Sequence, residues 1–281
     1  MASAPLITVV VPTRNSAVTL ERCLASVRAQ DHPAVELVVV DNASDDGSQE
    51  IAQRLSDLLL LGGPERSAQR NLGLARARGD YVLWIDSDMV LDTDVASSAV
   101  AVAEREGAVA VFIPETSEGD GYWTACRRLE RRCYVDEPLI EAPRLVRRDF
   151  FEQQGGFDPA ITGQEDAELR MRLLDGGYRL ARSTGVIRHL EGRLTLKGIV
   201  EKRLYYGRSI PSYAAAQPGA VRAQGSATVR ALLRHRGLLA ADPAHAAGVL
   251  LMRFVEALAY TYGARQALHA PRTGSSGAGP G

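Results

Sequence analysis

The alternation of short apolar runs with segments of helical periodicity constrains the fold of this chain most. Between the runs, apolar residues such as Leu20, Leu24 and Val27 recur with helical spacing. Continuous β-branched runs predict strands that are buried on both faces of a parallel sheet. Strands that alternate with helices predict βαβ units, and therefore an α/β fold with a mainly parallel sheet flanked by helices. The runs cover residues 6–11, 35–40, 58–61, 81–85 and 108–113.

The pattern is less regular in the second half of the chain, and from about residue 194 it becomes helical. Breaks in the helical part are predicted at Pro211, Pro218, Gly225 and Pro243. The last residues are rich in glycine and serine, which is typical of a disordered tail. We expect a first α/β half at 1–115, a second half of the same domain at 116–197, a helical C-terminal extension at 198–270 and the tail at 271–281.

Net charge, cysteine content and the length of the apolar runs indicate which partners and which cellular compartment to expect. The formal net charge of -1 gives no indication of nucleic acid as a partner. The cysteines, Cys23, Cys126 and Cys133, form no CxxC pair, so a reduced cytoplasmic chain is predicted, with Cys126 and Cys133 buried on one helix face. No apolar run reaches the roughly eighteen residues of a membrane span, and the N-terminus lacks a basic leader. Peripheral membrane contact stays open, because the C-terminal part is basic.

The ends of the predicted strands are where ligands bind in a parallel α/β sheet. Pro12, Thr13, Arg14 and Asn15 follow the first strand and can face a crevice there, although a capped turn explains them more simply. Asp41 ends the second strand and can accept a hydrogen bond from a nucleotide base. It can also belong to a turn rich in Asp and Asn.

The end of the fourth predicted strand carries the strongest signal. Asp86 and Asp88 flank Ser87 on an extended segment, so both carboxylates point to the same side. Two hard oxygen ligands suit Mg²⁺ or Mn²⁺, with phosphate oxygens and water completing the shell. A D-x-D string alone is weak, and Asp92 and Asp94 form another, which we interpret as a cap of the next helix. The position directly after a buried strand favours the first pair.

Charged residues on two further helices can complete a site. Arg66 and Arg70 are four residues apart and share a helix face, from which either can counter a diphosphate. Alternatively they form a solvated face with Glu65. Glu165 and Asp166 follow Gln164 at the start of another predicted helix.

Carboxylates at the start of a helix are favoured by the free N–H groups and the dipole, which is a purely structural explanation of Glu165 and Asp166. The functional explanation is that one of them is a general base that takes a proton from an acceptor hydroxyl. His189 ends a short predicted strand. A lone histidine is commonly structural, but beside a metal-bound diphosphate it becomes a third protein ligand or a phosphate contact.

Taken in order, several segments resemble those of the family 2 inverting glycosyltransferases, which have the GT-A fold. They are VVVPTRN, ELVVVDNASDDGS, RNLGLARARGDYVLWIDSDM, LVRRDFF, GGFD and GQEDAELRMRLLDGGYRLA, and together they run from about residue 6 to residue 190. The resemblance implies a GT-A, Rossmann-like sheet, with nucleotide-sugar binding in 1–115 and acceptor binding and catalysis in 116–197. It implies transfer of a sugar from a nucleotide-diphosphate sugar, UDP-sugar favoured, with Mn²⁺ or Mg²⁺ as cofactor.

The resemblance also implies the acceptor and the residue roles. The acceptor is a hydroxyl, for example of a natural product or a cell-envelope glycan, and the composition is typical of a GC-rich bacterial genome. No Q-x-x-R-W motif is present, so single-sugar transfer is expected. The implied nucleotide-binding residues are Pro12, Thr13, Arg14, Asn15, Asp41, Arg66, Asp86 and Ser87. The implied metal site is Asp88, Asp86 and His189, the catalytic pair is Asp166 as base with Glu165, and the donor or acceptor pocket includes Phe157, Asp158 and Gln164.

Two other functions remain as alternatives. A nucleotidyltransferase also binds a metal-bound nucleotide on an α/β sheet, but it has a Gly-rich loop after the first strand, where this chain has PTRN. A non-catalytic nucleotide-sugar-binding protein is the other alternative. The intact set of Asp86, Asp88 and Asp166 disfavours it.

Overall fold

The structure, a computed structural model, describes residues 4–161 and 163–269. The predicted tail at 271–281 lies outside the described residues. The strands are β1 (Ile7–Thr13), β2 (Val35–Asp41), β3 (Leu58–Leu61), β4 (Tyr81–Trp84), β5 (Met89–Leu91), β6 (Ala110–Phe112), β7 (Glu115–Glu118), β8 (Pro143–Arg147), β9 (Leu180–Arg182) and β10 (Ile187–Leu190). The helices are α1 (Ala17–Arg28), α2 (Ser48–Leu55), α3 (Arg66–Leu74), α4 (Val95–Glu106), α5 (Tyr122–Tyr134), α6 (Arg148–Gln153), α7 (Glu165–Asp175), α8 (Leu196–Gly207), α9 (Ile210–Ala216), α10 (Ala220–Arg234), α11 (Arg236–Ala241) and α12 (Pro243–His269).

The main sheet has seven strands in the order β3-β2-β1-β4-β8-β6-β9. The first four are parallel neighbours, β8 runs antiparallel to both β4 and β6, and β6 is parallel to β9. The predicted α/β class with a mainly parallel sheet is therefore confirmed. Because β1 and β4 are parallel and adjacent, their carboxyl ends open on the same edge of the sheet.

The main sheet is covered on both faces, as its continuous apolar runs require. All seven residues of β1 are buried. Val9 and Val11 face a cluster with α1 and α4, whereas Val10 faces another that includes Trp84 and Phe157. The alternation of side chains along β1 therefore anchors two layers of helices to one strand.

A second sheet of three strands was not predicted from the sequence. It has the order β5-β10-β7, with β10 antiparallel to β5 and parallel to β7. Its strands have three or four residues, and β7 reads ETSE, so they carry no apolar periodicity. The sheet places His189 opposite Met89, one residue beyond the D-x-D segment.

The C-terminal helices form a layer against α5, α8 being packed along α12. Glu256 of α12 is fully buried and forms ion pairs with Arg127, Arg203 and Arg253. Removing one partner of such a buried network leaves unpaired charge, so the cluster fixes how α12 sits on α5 and α8. Gly225 lies inside α10 and does not break it, contrary to the prediction.

Two smaller predictions concern cysteines and membrane segments. Cys126 and Cys133 are both buried on α5, which confirms the expected face. Across residues 4–161 and 163–269, no helix is both long enough and apolar enough to cross a bilayer.

Candidate active site

A cleft of about 1500 Å³ opens at the carboxyl ends of β1 and β4 and is bounded on its far side by the C-terminal helices. Most of the residues predicted from the sequence lie on its wall. They are Pro12, Thr13, Arg14, Asn15, Arg66, Asp86, Ser87, Asp88, Gln164, Glu165, Asp166 and His189. The topology brings these residues together from segments that are far apart in the chain.

Asp86 lies just beyond β4 and is held by two arginines of α3. Its carboxylate accepts hydrogen bonds from Arg66 Nη1 at 3.3 Å and from Arg70 Nη2 at 2.8 Å. Burial alone would raise the pKa of Asp86, but the guanidinium groups of Arg66, Arg70 and Arg144 outweigh it, and the pKa lies well below its usual range. Asp86 is therefore ionised, and its two oxygens are already engaged by cations.

Asp88 differs from Asp86 in being free. Within the described chain its side chain has no hydrogen bond and no ion pair, while its carbonyl oxygen accepts from the Leu190 amide at 2.6 Å. No group of three or more His, Cys, Asp or Glu side chains in that part of the chain is arranged to hold a metal alone. One free carboxylate nevertheless suits Mg²⁺ or Mn²⁺, which bind through one or two carboxylates together with substrate phosphates and water.

His189 lies on the cleft wall, but one of its ring nitrogens is engaged. Nε2 lies 2.7 Å from Oε2 of Glu115, a residue that the sequence patterns did not single out. Burial would raise the pKa of Glu115, but Arg144, His189 and Arg131 outweigh it, and this pKa lies well below its usual range. The structure thus places His189 against a carboxylate rather than free beside Asp88.

Asp166 stands in the first turn of α7, with three donors around its carboxylate. Oδ1 accepts from Arg70 Nη1 at 2.8 Å and from Trp84 Nε1 at 3.1 Å, whereas Oδ2 has only Arg144 Nη1 at 3.4 Å. The antiparallel pairing of β4 with β8 sets Trp84 and Arg144 side by side. Oδ2 is therefore the less engaged oxygen of an anchored carboxylate. Trp84 and Arg144 were not predicted as site residues.

Glu165 is almost fully buried and faces the arginines of α3. It lies 3.2 Å from Arg66 Nε and 3.6 Å from Arg70 Nη1, and neither contact has hydrogen-bond geometry. Its position orients the two guanidinium groups. Glu65, which was considered as the partner of these arginines, instead accepts from the Tyr205 hydroxyl at 2.6 Å.

The loop after β1 has the features of a ligand-binding turn. Thr13 is buried, and its Oγ1 has no hydrogen-bond partner within the described chain. Asn15 has a left-handed φ of 47°, and its side chain accepts from the Asp45 amide at 3.0 Å, which braces the turn. Arg14 is exposed on the cleft wall. The orphaned hydroxyl of Thr13 is a polar group that a ligand can satisfy.

Three predicted residues do not lie on the cleft wall. The buried carboxylate of Asp41 accepts from Gln49 Nε2 at 2.8 Å and from Ser44, so it is used inside the turn after β2. Phe157 packs on Trp84 in the core, with ring centroids 4.9 Å apart. Asp158 is exposed and caps a turn by accepting from the Ala160 amide. In each case local packing or turn chemistry explains the residue without a ligand.

The D-x-D string formed by Asp92 and Asp94 was interpreted as a helix cap. Asp94 does stand at the N-cap position of α4, but its side chain makes no capping hydrogen bond. Asp92 instead forms an ion pair with Arg188 at 2.8 Å.

Helix α8 supplies a part of the cleft that the sequence patterns missed. The Arg66 guanidinium lies 5.2 Å from the ring centroid of Tyr206, within reach of a cation–π contact. A Cβ at Gly163, where φ is +77°, would lie 2.3 Å from that ring, so glycine is required there. Lys202 also lines the cleft, and loss of hydration lowers its pKa while Asp88 opposes the shift. No motif in α8 announces these contacts.

A mainly parallel sheet whose strand ends gather a D-x-D segment, paired arginines and an anchored carboxylate defines a glycosyltransferase of the GT-A fold. The family described as glycosyl transferase family 2 matches residues 8–159, more than half of the chain. The chain therefore belongs to glycosyltransferase family 2, and it is an enzyme of that class rather than a nucleotidyltransferase.

Curated relatives agree with this assignment. The chain is 26% identical to glycosyltransferase AglE of Haloferax volcanii, over 66% of this chain and 67% of that protein. It is 28% identical to the pre-mycofactocin glycosyltransferase of Mycobacterium tuberculosis, over 75% of this chain and 48% of that protein. The aligned part spans from about half to two thirds of the length of these relatives and of the succinoglycan biosynthesis protein ExoA of Rhizobium meliloti.

Solved structures share the fold. Mannosyltransferase PcManGT from Pyrobaculum calidifontis, in complex with GDP-Man and Mn2+, superposes with a TM-score of 0.66 at 22% identity, over 95% of this chain and 88% of that one. S. aureus TarS in complex with UDP superposes with a TM-score of 0.53 at 18% identity, over 82% and 71% of the two chains.

Proposed function

We propose that this enzyme moves one sugar from a nucleoside-diphosphate sugar to an acceptor hydroxyl with inversion at the anomeric carbon, using Mn²⁺ or Mg²⁺. The observation that carries the proposal is the bridge made by Arg70. Its guanidinium donates at 2.8 Å to Asp86 and at 2.8 Å to Asp166. A single guanidinium therefore joins Asp86, at the end of β4, to Asp166, the candidate base. This places the proposed donor site next to the proposed acceptor site, as sugar transfer between them requires.

The donor is assigned to the end of the cleft beside β1 and β4. Pro12, Thr13, Arg14 and Asn15 form the turn against which the nucleoside lies, and the free Thr13 hydroxyl supports this. Arg66 lines the same cleft and contacts Asp86 and Glu165, so its guanidinium can pair with a diphosphate there.

Asp88 is assigned as the carboxylate that would hold the divalent ion. Asp86, whose carboxylate is fixed by Arg66 and Arg70, is assigned as a second residue of the metal site. A bound divalent ion supplies positive charge that offsets the charge developing on the departing diphosphate. The solved neighbours support the type of ligand, since one contains GDP-Man with Mn2+ and the other UDP. They differ in the nucleotide, so UDP and GDP donors both have to be tested.

Asp166 is assigned as the general base. Its Oδ2 takes the proton of the acceptor hydroxyl while the acceptor oxygen bonds to the anomeric carbon. The bond from that carbon to the phosphate oxygen breaks, and the nucleoside diphosphate leaves with the electron pair. Attack from the face opposite the leaving group inverts the configuration. Arg70 and Trp84 hold the other oxygen and fix the direction in which the base points.

A panel of nucleotide sugars tests the proposal. With Mn²⁺ present, one nucleoside diphosphate at about 100 times its Kd is expected to stabilise the fold by roughly 2.7 kcal/mol and to raise Tm by about 5 °C or more. Slow hydrolysis of the matching sugar donor should release the nucleoside diphosphate and a free sugar of inverted anomeric configuration, measured by NMR before mutarotation. Release of pyrophosphate, or of a sugar of retained configuration, would contradict the assigned chemistry.

A further inference from the structure

One arginine of the cleft, Arg170 of α7, is buried and forms no ion pair with any residue that the structure describes. It is 3% exposed and lines the cleft beside Ile140 and Glu141, a part that we call the inner cleft. Nη1 donates to the carbonyl oxygens of Ile140 at 3.1 Å and Glu141 at 3.0 Å, and Nε has no partner within the described chain. The Glu141 carboxylate is itself paired with Arg182.

The other arginines along this part of the cleft are compensated. Arg131 pairs with Glu115 and Glu191. Arg144 pairs with Glu115 and with Asp166. Burial of an unpaired cation is costly, because the lost hydration is not replaced by an opposite charge.

The same burial shifts the pKa of Arg170. Burial lowers the pKa of Arg170 to about 10, and the more distant Tyr213, Asp166 and Glu141 do not cancel it. By contrast, the pKa of Arg144 lies above its usual range, because Glu115, Asp166 and Asp86 outweigh its burial. The inner cleft therefore contains one guanidinium whose charge the described chain leaves unbalanced.

Arg170 lies four residues after Asp166 on the same helix, so the two side chains share a face with Cβ atoms about 6 Å apart. We propose that the acceptor carries an oxyanion, a phosphate or a carboxylate, that binds Arg170 while its hydroxyl meets Asp166. The guanidinium fork suits both oxyanions. This inference rests on the proposed function, since it names the class of acceptor for the same site.

Fluorine NMR with small anions tests the inference without a known acceptor. The probes are fluorophosphate and difluoroacetate, added to the full chain saturated with Mg²⁺ and the nucleoside diphosphate found in the panel, which fills the donor end. Broadening of the fluorine line is expected with at least one probe. The probe that broadens more shows whether the site prefers a phosphate or a carboxylate. Arg170→Gln is expected to weaken that binding roughly tenfold or more, as the loss of a charge-assisted pair does.

Arg208→Gln is the matched control, because Arg208 is exposed and lies off the cleft wall. Should Arg170→Gln fail to fold, Arg170→Met decides, since it removes the charge but keeps an unbranched side chain that suits a buried position. The inference is overturned if neither anion binds the wild type or if binding survives substitution of Arg170. Nucleotide binding in the same sample separates the outcomes: its loss counts against the proposed function, whereas its presence without anion binding counts only against the anionic acceptor.

A different observation concerns the outer face of α12. Leu250, Leu251, Phe254, Leu258 and Tyr262 are each between 48% and 62% exposed, although they are large and apolar. Their spacing of three to four residues puts them on one side of the helix. The charged residues within the same stretch point the other way, into the buried ion pairs described above. The outer side of α12 is thus an apolar stripe without a charged residue between 250 and 262.

The charge around this stripe identifies its partner. Residues 196–269 contain ten Lys and Arg residues but three Asp and Glu residues, whereas the whole chain has a net charge of -1. Among these basic residues, Arg203 is paired with Glu256, Arg230 and Arg234 with Glu137, and Arg253 with Glu130. Arg222, Arg236 and Arg265 are exposed and form no ion pair with described residues. Two copies meeting through this surface would bring like charges together. We infer that the stripe lies on an anionic membrane surface, where apolar insertion and basic residues act together.

Vesicle flotation tests this second inference. The full chain is expected to float with vesicles of phosphatidylcholine and phosphatidylglycerol, and much less with phosphatidylcholine alone. Phe254→Ser combined with Leu258→Ser should reduce the floated fraction about tenfold or more, since two large apolar side chains no longer insert. Leu61→Ser is the matched control, because Leu61 is equally exposed on β3, away from α12. The inference is overturned if the double variant floats as well as the wild type. It is also overturned if the wild type is a stable dimer and the double variant is a monomer.

Discussion

Asp166→Asn is expected to lower kcat for sugar transfer by roughly 10³-fold, within the range of a lost general base. The amide keeps the size of the side chain and can still accept from Trp84, but it cannot take the proton of the acceptor hydroxyl. The ion pairs of Arg70 with Asp86 and Glu165 remain in place. Donor binding should therefore be nearly unchanged, and calorimetry with the nucleoside diphosphate and Mn²⁺ measures it independently of the acceptor.

Asp158→Asn is the control for Asp166→Asn, because Asp158 carries the same charge on an exposed turn outside the cleft wall. It is expected to leave both kcat and nucleotide affinity unchanged. A variant at Asp166 that transfers sugar at the normal rate would remove this residue from the mechanism. If nucleotide affinity collapses instead, Asp166 acts by holding Arg70 in place rather than as a base.

The fold was predictable where the sequence carries periodicity. Runs such as residues 6–11 and 35–40 are apolar throughout, so burial on both faces of a parallel sheet follows from the pattern alone. The second sheet was not predictable, because strands of three or four residues such as β5 and β7 are defined by pairing with β10 rather than by their own composition. The path of α10 through Gly225 shows the same limit, since tertiary packing overrides one unfavourable helix residue.

The site was predictable where chemistry lies directly at a strand end. Asp86 and Asp88 follow β4, and their position is set by local geometry. Arg144 and Trp84 were missed, because they reach Asp166 only through the pairing of β4 with β8. Glu115, which engages His189, likewise comes from a strand that no local pattern announces.

Phe157, predicted for the donor or acceptor pocket, and Asp41, predicted to bind the nucleotide, are both engaged by the protein itself. The segment around Phe157 was assigned by resemblance to a family motif, but the ring of Phe157 completes an aromatic cluster with Trp84 and Phe151. Asp41 ends β2 at the expected edge of the sheet, but its carboxylate accepts hydrogen bonds from Ser44 and Gln49 in the following turn and helix. A sequence motif marks a position in the fold, whereas side-chain competition decides whether that position is available to a ligand.

The two arginines of α3, Arg66 and Arg70, determine which carboxylates of the cleft are already paired with a cation. Arg66 and Arg70 are neutralised by Asp86, Glu165 and Asp166 before any substrate is bound. A diphosphate that enters must compete with these carboxylates for the same guanidinium groups. The Asp88 side chain forms no ion pair or hydrogen bond within the described chain, although Lys202 is near enough to interact with it electrostatically, so Asp88 is the carboxylate that is available to a divalent ion.

Asp88→Ala is accordingly expected to lower metal-stimulated transfer by roughly 10³-fold, equivalent to the several kcal/mol that a bound ion contributes to offsetting charge on the leaving group. Addition of a chelator to the wild type should have an effect of similar size, and excess Mn²⁺ should reverse the chelator effect but not the substitution. The measurement is initial rate against Mn²⁺ concentration at saturating donor, with Mn²⁺ binding followed by electron paramagnetic resonance.

Asp94→Ala is the matched control for Asp88→Ala, because Asp94 belongs to the second D-x-D string, is exposed and makes no capping hydrogen bond. It is expected to retain the wild-type dependence on Mn²⁺. The comparison shows whether the position of Asp88 after β4 matters, because Asp94 belongs to a D-x-D string of the same spacing at another place in the fold. Full Mn²⁺ stimulation in Asp88→Ala would show that Asp88 does not hold the ion, whereas no response of the wild type to a chelator would show that positive charge at the diphosphate comes from Arg66 and Lys202 without a metal ion.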